Sequence, residues 1–411
     1  MNDLRRRSVE IIRMNQAPSG AYVASPTFPN YRFCWLRDGS FIAHAMDLIG
    51  ETASAGAFFR WVDRTIRRYA WKVDRILEKV DRGDPLLEGD FLHTRYTLAG
   101  EETRDQWGNF QLDGYGTWLW ALCEHIDRTN DLALLESVAA SVQVTARYLN
   151  VLWNHPNYDC WEERPQSLHT YTLAAVYAGI NAALKMADRS GAIDLSGVAQ
   201  DLPETIRRFV LAEGVRGKPG ENIHLVKSFA PAGADGPAPT PGNFKVLSGV
   251  RNINEPLPSP GSQLRPPRPS QQMQSVDASL LGVALPYRML ESGNPLFQGT
   301  VARIEADLRR PQGGVYRYLG DTYYGGGEWL LLAAWLGWFY AETGDRARAV
   351  ELLDWVEAQA DPDGHLPEQI SDHLQSPRHY AEWVDRWGPV ARPLLWSHAM
   401  HLILDAAVRS G

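Results

Sequence analysis

Apolar residues recur at three- and four-residue spacing along almost the whole chain, which is the period of helices with one buried face. Strand-like alternation is rare and short, with residues 313–319 as its best example. The spacing predicts about twelve helices, over residues 3–14, 38–50, 52–80, 112–128, 130–152, 168–190, 196–213, 276–291, 294–310, 328–343, 346–360 and 393–409. The chain is therefore predicted to be all-α.

The connections between these helices alternate between tight turns and long loops. The turns at 129–131, 292–295 and 343–345 combine an Asn or Gly stop with an N-cap candidate for the next helix. The long connections are 15–37, 81–111, 153–167, 214–275, 311–327 and 361–392. Six helical hairpins with their long loops at one end predict an (α/α)6 toroid, a single domain over 1–411, with functional residues on the long-loop face. The alternative, a helical solenoid, would need a fixed repeat, and none is found.

Residues 214–275 differ from the rest of the chain, because they are rich in Pro and Gly and have no long apolar period. A linker between two domains is one interpretation. An active-site flap is the other, and it is favoured slightly because the helices on both sides fit one toroid.

Composition excludes several classes of protein. The net charge of −8 argues against a partner such as nucleic acid or an anionic membrane. No apolar run reaches the roughly 18–20 residues that span a bilayer, and no apolar segment of a signal peptide follows the first basic residues. Cys34, Cys123 and Cys160 are too few and too scattered for a disulfide framework, so a cytoplasmic location is expected.

Tryptophan is unusually frequent, at 15 residues. Unusual core packing, partner interfaces and a pocket that stacks flat ligands such as sugars are all compatible with this number. The long loops favour the pocket, because tryptophans stand there beside arginines and carboxylates, in the segments 31–38, 106–114, 158–164, 316–329 and 364–369.

The individual loops leave alternatives open. Asp38 is either a helix N-cap paired with Arg37, or the two form a grip for sugar hydroxyls. Glu162 and Glu163 either belong to a solvated acidic loop, or one packs against tryptophan and keeps its proton, as a general acid needs. Glu368 on local sequence alone is an exposed loop residue.

No metal or cofactor site is predicted. The 11 histidines show no metal-ligand spacing, and neither a nucleophile elbow nor a dinucleotide-binding glycine motif occurs. Paired carboxylates among stacking aromatics, with no metal or cofactor, indicate glycoside hydrolysis.

Five motifs then make the chain resemble glycoside hydrolase family 15, the glucoamylase family. In order they are YRFCWLRD at 31–38, WGNFQLDG at 107–114, YDCWEE at 158–163, YRYLGDTYYGGGEW at 316–329 and LPEQ at 366–369. The resemblance implies an (α/α)6 toroid with a pocket at one end, and an inverting mechanism. It implies Glu162 as the general acid and Glu368 as the general base. The substrate-binding residues that it implies are Tyr31, Trp35, Arg37, Asp38, Trp107, Trp161, Glu163, Arg317, Asp321 and Trp329.

The expected function is an exo-acting, inverting α-glucosidase that releases β-D-glucose from short α-1,4- or α-1,6-linked oligosaccharides. A trehalase-like hydrolase, a related phosphorylase and a non-catalytic sugar-binding toroid are the alternatives. The presence of both Glu162 and Glu368 argues against the last two. The linkage, the oligomeric state and the role of 214–275 stay open.

Overall fold

The structure is a computed structural model that describes residues 3–105, 107–217, 223–229 and 276–410. Twelve α-helices lie in these ranges: α1 Asp3–Met14, α2 Leu36–Leu48, α3 Thr52–Arg82, α4 Asp113–Thr129, α5 Leu132–Leu152, α6 Thr170–Arg189, α7 Leu202–Glu213, α8 Pro295–Leu308, α9 Leu330–Glu342, α10 Arg346–Ala358, α11 Pro377–Trp387 and α12 Leu395–Ser410. Short 3-10 helices cover Pro29–Tyr31, Glu88–Asp90, Ala278–Val283 and Tyr323–Gly325.

Six of these elements form a closed inner ring. Helix α2 packs against α4, α4 against α6, α6 against the 3-10 helix Ala278–Val283, that helix against α9, α9 against α12, and α12 again against α2. Helices α1, α3, α5, α7, α8 and α10 alternate with them along the chain and form the outer layer. The predicted (α/α)6 toroid is confirmed.

The two layers follow from the distribution of apolar residues. Helix α9, LLLAAWLGWFYAE, is apolar on every side, and all but three of its residues are buried. Helix α3 in the outer layer has a charged face and buries only one side against α5 and α2. Helices that are apolar all round belong in the interior, and amphipathic ones cover it.

The predicted tight turns end one helix and begin the next. Asn130 adopts a left-handed conformation after α4, and Asp131 accepts a hydrogen bond from the Leu134 N–H to cap α5. The Asn294 and Asp345 side chains cap α8 and α10 in the same way. Because these connections are tight, the long loops lie together at the opposite end of the toroid.

Among the described residues, eight two-residue strands connect parts of these long loops. The pairs are β1 Cys34–Trp35 with β2 Arg95–Tyr96, β3 Leu168–His169 with β6 Ser228–Phe229, β4 Val215–Arg216 with β5 His224–Leu225, and β7 Glu328–Trp329 with β8 Gln369–Ile370. Strands β1, β3 and β7 each run directly into an inner helix, so the loops are fixed where the ring begins.

Three predicted elements differ from the structure. Residues 276–291 contain the six-residue 3-10 helix Ala278–Val283, because Pro286 has no N–H to continue a longer helix. The connection 361–392 contains α11, and 313–319 carries one isolated bridge between Val315 and Arg309. Of the predicted insertion 214–275, only 214–217 and 223–229 are among the described residues, so the flap stays a prediction.

Within the described part of the chain, no helix has the length and apolar character needed to cross a membrane.

Candidate active site

A pocket opens on the long-loop end of the inner ring. It is lined by eleven of the twelve predicted site residues, all except Asp321. The other lining residues are Ala24, Cys160, Tyr323, Trp387, Leu394 and Trp396. Glu162 lies on the loop before β3 and α6, and Glu368 on the loop before β8 and α12. Because α6 and α12 are three places apart in a ring of six, the two glutamates come from opposite sides of the pocket.

Glu162 is buried, and one of its oxygens is fully engaged. Its Oε1 accepts hydrogen bonds from Trp35 Nε1 at 2.6 Å and Gln111 Nε2 at 3.1 Å. Gln111 is oriented by Arg37 Nη1, which donates to its Oε1 at 3.2 Å. Because both partners of Oε1 are N–H donors, a proton on this carboxyl belongs on Oε2. Burial raises the pKa of Glu162, although Arg37 and the two donors oppose the rise.

Glu368 is also buried, which corrects the expectation of an exposed loop residue. Its Oε1 accepts a hydrogen bond from the Tyr31 hydroxyl at 3.0 Å, and Tyr31 is itself 2.7 Å from the Tyr323 hydroxyl. Its Oε2 has no hydrogen-bond partner among the residues that the structure describes. Burial raises the pKa of Glu368 to about 8, even though the bond from Tyr31 lowers it.

Arg37 and Asp38 form part of the pocket lining and do not cap a helix. Helix α2 begins at Leu36 without a side-chain cap, which excludes the N-cap interpretation of Asp38. Arg37 Nη1 donates to Asp113 Oδ2 at 2.9 Å, and its Nε lies 3.5 Å from Asp38 Oδ2. Burial raises the pKa of Asp38 to about 6, against the effect of Arg37. The grip of a cation beside a carboxylate is therefore in place.

Arg317 and Asp321 form a second charged group, which lies next to Glu163. Arg317 donates from Nε and Nη2 to both oxygens of Asp321, at 2.7 and 2.6 Å, so Asp321 holds the guanidinium although it does not line the pocket. Glu163 accepts from the Tyr318 hydroxyl at 2.6 Å and lies 3.5 Å from Arg317 Nη2. The solvated acidic loop is thus wrong for Glu163, because its carboxylate is 14% exposed and faces Arg317 and Lys227.

Aromatic rings form most of the wall. Trp35 meets Trp107 edge to face at 5.9 Å, and Trp107 lies nearly parallel to Trp387 at 6.5 Å. Trp161 and Trp329 pair at 5.4 Å on another part of the lining. Flat apolar faces of this kind match the C–H faces of a sugar ring.

The floor of the pocket is closed. Trp396 lines it and stacks on Phe41 at 5.4 Å, and Phe41 meets Trp335 at 5.3 Å in the middle of the ring. All three rings are buried. The pocket therefore ends inside the toroid and does not continue through it.

Six buried polar atoms of the lining have no hydrogen-bond partner in the described part of the chain. They are the indole N–H groups of Trp107, Trp329 and Trp396, Arg37 Nε, Asp38 Oδ2 and Glu368 Oε2. Buried polar groups are almost always bonded, so unpaired donors and acceptors gathered in one pocket indicate a ligand that supplies both. Sugar hydroxyls have this property, since each donates and accepts.

Several residues of the site have no sequence-based prediction. Gln111, inside the second motif, orients Glu162, and its position two residues before α4 was the available signal. Trp387 belongs to α11, whose aromatic spacing at 380, 383 and 387 has the helical period. Tyr323 and Trp396 become site residues only through the closure of the ring. Arg95, stacked 3.5 Å from the centre of the Trp107 ring, has no signal in the sequence.

One group of side chains among the described residues is spaced to hold a metal ion, Asp361, Asp363 and His365. None of the three lines the pocket. The pocket itself presents carboxyl groups, guanidinium groups and indoles, so its own chemistry is proton transfer and hydrogen bonding.

Known proteins are similar to this chain in sequence and in fold. The family described as "Glycosyl hydrolases family 15" matches residues 4–405. An isomaltose glucohydrolase from Kribbella flavida is 38% identical over 98% of this chain and 92% of its own length. A solved glycosidase variant in complex with glucose has a TM-score of 0.81 at 37% identity, covering 99% of this chain and 96% of that one. A bacterial glucoamylase complexed with acarbose has the same fold, with a TM-score of 0.67 at 19% identity over 99% of this chain and 56% of that one.

Proposed function

We propose that this chain, which belongs to glycosyl hydrolase family 15, releases glucose from the non-reducing ends of short α-1,6-linked glucose oligosaccharides such as isomaltose. The near-complete overlap with the isomaltose glucohydrolase, at 38% identity, supports this linkage over the α-1,4 alternative. The observation that carries the reaction type is the pair of buried glutamates, each with one oxygen held and the other left for the substrate.

The two glutamates divide the proton transfers between them. Glu162 Oε2–H gives its proton to the glycosidic oxygen as the bond from that oxygen to the anomeric carbon breaks. Glu368 Oε2 takes a proton from the water whose oxygen bonds to the anomeric carbon on the opposite face. This single displacement inverts the anomeric configuration and yields β-D-glucose.

The remaining residues hold the terminal sugar for this step. Arg37, Asp38 and Arg317 offer charged hydrogen bonds to its hydroxyl groups, which are stronger than neutral ones. The Tyr31 hydroxyl keeps Glu368 Oε1 occupied, so the water is left to Oε2. The closed floor under Trp396 admits one chain end, and this supports an exo-acting enzyme.

The alternatives predict other products. A phosphorylase would release glucose 1-phosphate and would have no use for a base at Glu368. A trehalase would cleave trehalose in preference to isomaltose. A sugar-binding module would release no product, and its buried glutamate pair would lower its stability without serving a reaction.

We also propose a cytoplasmic location, in keeping with three buried free thiols.

The test is product analysis by NMR on isomaltose, maltose and trehalose, reading the anomer released at early time. The expected result is β-glucose from isomaltose, with the other two cleaved more slowly. α-Glucose as the first product would overturn the mechanism. Faster cleavage of maltose or trehalose would overturn the linkage and leave the mechanism standing.

A further inference from the structure

Glu162 stands in a backbone conformation that a glutamate rarely adopts. Its φ is +66°, in the left-handed region, and two residues later Arg164 has a φ of +53°. Non-glycine residues hold such angles only where the surroundings enforce them, often at functional sites. The position of the proposed general acid therefore depends on what holds its turn.

Asp159 holds this turn from the inside. Its side-chain Oδ1 accepts the backbone N–H groups of Trp161 at 3.0 Å and Glu163 at 2.8 Å. Its carbonyl oxygen accepts the N–H of Glu162 at 2.9 Å, and its own N–H donates to the Glu163 carbonyl at 3.0 Å. One aspartate thus fixes the residues on both sides of Glu162.

The counter-ion of Asp159 is Lys227. Its Nζ lies 3.1 Å from Asp159 Oδ2, 3.0 Å from Asp277 Oδ2 and 3.9 Å from Glu163 Oε2. The ammonium also sits over the Tyr318 ring, 3.8 Å from its centre. The Lys227 side chain is 3% exposed, so solvent screens these contacts little.

The same lysine reaches a second wall of the pocket through Asp277. Both oxygens of Asp277 accept from Trp161 Nε1, at 3.1 and 3.0 Å, and Oδ1 caps the 3-10 helix at Ser279. Burial lowers the pKa of the lysine, but Asp159, Asp277 and Glu163 outweigh it and raise that pKa to about 12. Lys227 is therefore a permanent cation among three carboxylates.

Lys227 lies within the Pro/Gly-rich segment 214–275, immediately before β6. Its carbonyl oxygen accepts the N–H of Thr170 at 3.0 Å, at the start of α6, and β6 pairs with β3. The residues around Lys227 are thus hydrogen-bonded to the start of α6, next to the turn that contains Glu162.

We propose that Lys227 is a positioning residue for the general acid. By neutralising Asp159 it keeps the strained turn closed, and so keeps Glu162 Oε2 within reach of the glycosidic oxygen. Lys227 touches no reacting atom and acts through Asp159. This inference rests on the proposed function, because it takes Glu162 as the acid.

The test compares a substrate that needs protonation of its leaving group with one that does not. Isomaltose loses a sugar alkoxide and needs the acid, whereas α-glucosyl fluoride loses fluoride and needs it little. A displaced acid should slow only the first reaction. Lys227→Met keeps the side-chain length and removes the charge; we expect kcat to fall about 10²-fold on isomaltose, with kcat on the fluoride nearly unchanged. Lys227→Arg should restore most of the loss.

Two controls frame this result. Glu162→Gln should show the same selective loss, because it removes the acid itself. Lys72→Met is the matched control: Lys72 is 5% exposed, its Nζ pairs with Glu102 Oε1 at 2.7 Å, and it does not line the pocket. Its loss should lower the melting temperature and leave the ratio of the two rates at the wild-type value.

Equal losses on the two substrates, or none on either, would overturn the proposal. If Lys227→Met does not fold, Lys227→Met combined with Asp277→Asn removes one of the facing carboxylates and is judged by the same ratio. A wild-type protein that cleaves the fluoride but no disaccharide would refute the proposed function, independently of Lys227.

Discussion

At the scale of single residues, Glu368 combines one oxygen that is hydrogen-bonded to Tyr31 with one that has no hydrogen-bond partner in the described ranges of the chain. Glu368→Gln keeps the shape and the acceptor for Tyr31 but cannot take a proton from water. We expect kcat on isomaltose to fall by about 10²–10⁴-fold, the usual contribution of a positioned base. Stopped assays over hours would measure the residual rate.

The same substitution also replaces a buried carboxyl group whose pKa is raised from 4.5 to about 8. At neutral pH this carboxyl is ionised in the unfolded chain and must take up a proton on folding, which costs stability. An amide carries no such cost, so the melting temperature of Glu368→Gln should equal or exceed that of the wild type. A variant with near wild-type kcat would refute Glu368 as the base, and a much lower melting temperature would make it a structural residue.

The pH profile should separate the two glutamates. In the proposed mechanism the productive form has a proton on Glu162 and none on Glu368, so kcat/KM follows the state in which the pair holds one proton. Burial raises the pKa of Glu368 to about 8. With the pKa of Glu162 as the lower of the two, most of the one-proton state carries its proton on Glu368, and the productive form is its minor tautomer. The pair loses its last proton near pH 8, which places the alkaline limb of kcat/KM there. The acid limb marks the binding of a second proton, on Glu162, whose pKa is also raised by burial.

Trp35→Phe tests this division, because it removes the N–H that bonds to Glu162 Oε1 at 2.6 Å. That bond stabilises the charged form and lowers the pKa of Glu162. Its loss should raise that pKa and move the acid limb to higher pH, while the alkaline limb stays in place. A shift of the alkaline limb alone would reverse the assignment of the two limbs.

Most residues of the site could be predicted because they stand in five short motifs, and a motif fixes chemistry even where the fold is unknown. Local sequence could not predict burial: Glu368 follows a proline in an exposed-looking loop, yet the loop folds into the ring. Residues that act through others, such as Gln111 behind Glu162, need the three-dimensional network to be recognised.

At the scale of elements, α11 is the helix that covers the pocket rim. Its Trp383 is buried against Tyr323, and its half-buried Trp387 lines the pocket next to Trp107. Trp387→Ala should raise KM for isomaltose about 3–10-fold with kcat little changed, as expected for lost stacking that acts alike in ground and transition states. Initial rates over a range of isomaltose concentrations measure both constants.

Trp71→Ala is the matched control for this change. Trp71 lies on α3, is 52% exposed and does not line the pocket. Its removal should leave both kinetic constants at the wild-type value. If Trp387→Ala left KM unchanged, or if Trp71→Ala raised it equally, α11 would have no part in substrate binding.

Helices α4 and α6 cross through two glycines. A β-carbon on Gly116 would collide with the carbonyl oxygen of Ala175, and one on Gly179 would lie 2.6 Å from the Gly116 Cα. Gly116→Ala should therefore force the helices apart and lower the free energy of unfolding by about 1–3 kcal/mol. Urea denaturation followed by far-UV circular dichroism measures it, with Gly191→Ala, where a β-carbon meets nothing within 4 Å, as the control.

Long helices were predictable because an apolar period of 3.6 that continues over ten or more residues fits a helix and not a strand. The prediction of helices was wrong where a proline interrupts the apolar period or where the helix is short. In 276–291 the apolar period continues, but Pro286 interrupts the hydrogen-bond ladder and a six-residue 3-10 helix results. Helix α11 is short and lies inside the long connection 361–392. Its aromatic period at 380, 383 and 387 was therefore too brief to predict a helix there.

At the scale of the whole molecule, the contact of α12 with α2 and α1 joins the end of the described chain to its beginning. This closure could be predicted from six hairpins, but the filling of the ring could not. Phe41, Trp335 and Trp396 come from three separate helices and meet only when the ring is closed. They explain part of the high tryptophan content: the residue serves the core as well as the pocket wall.

The closed floor decides which bond of a chain can be cleaved. With the ring filled below Trp396, a chain can enter only by its end. In the proposed mechanism, the bond between the first and second sugars is then the one that Glu162 and Glu368 cleave. Isomaltotriose should therefore release glucose and isomaltose, and reduction of its far end to an alditol should not stop the release of glucose. Blocking the first sugar with a bulky group should abolish all cleavage, because that group has no space beyond the floor. Chromatography of the products would decide, and a fragment released from the interior of a blocked chain would mean that the pocket is open at both ends.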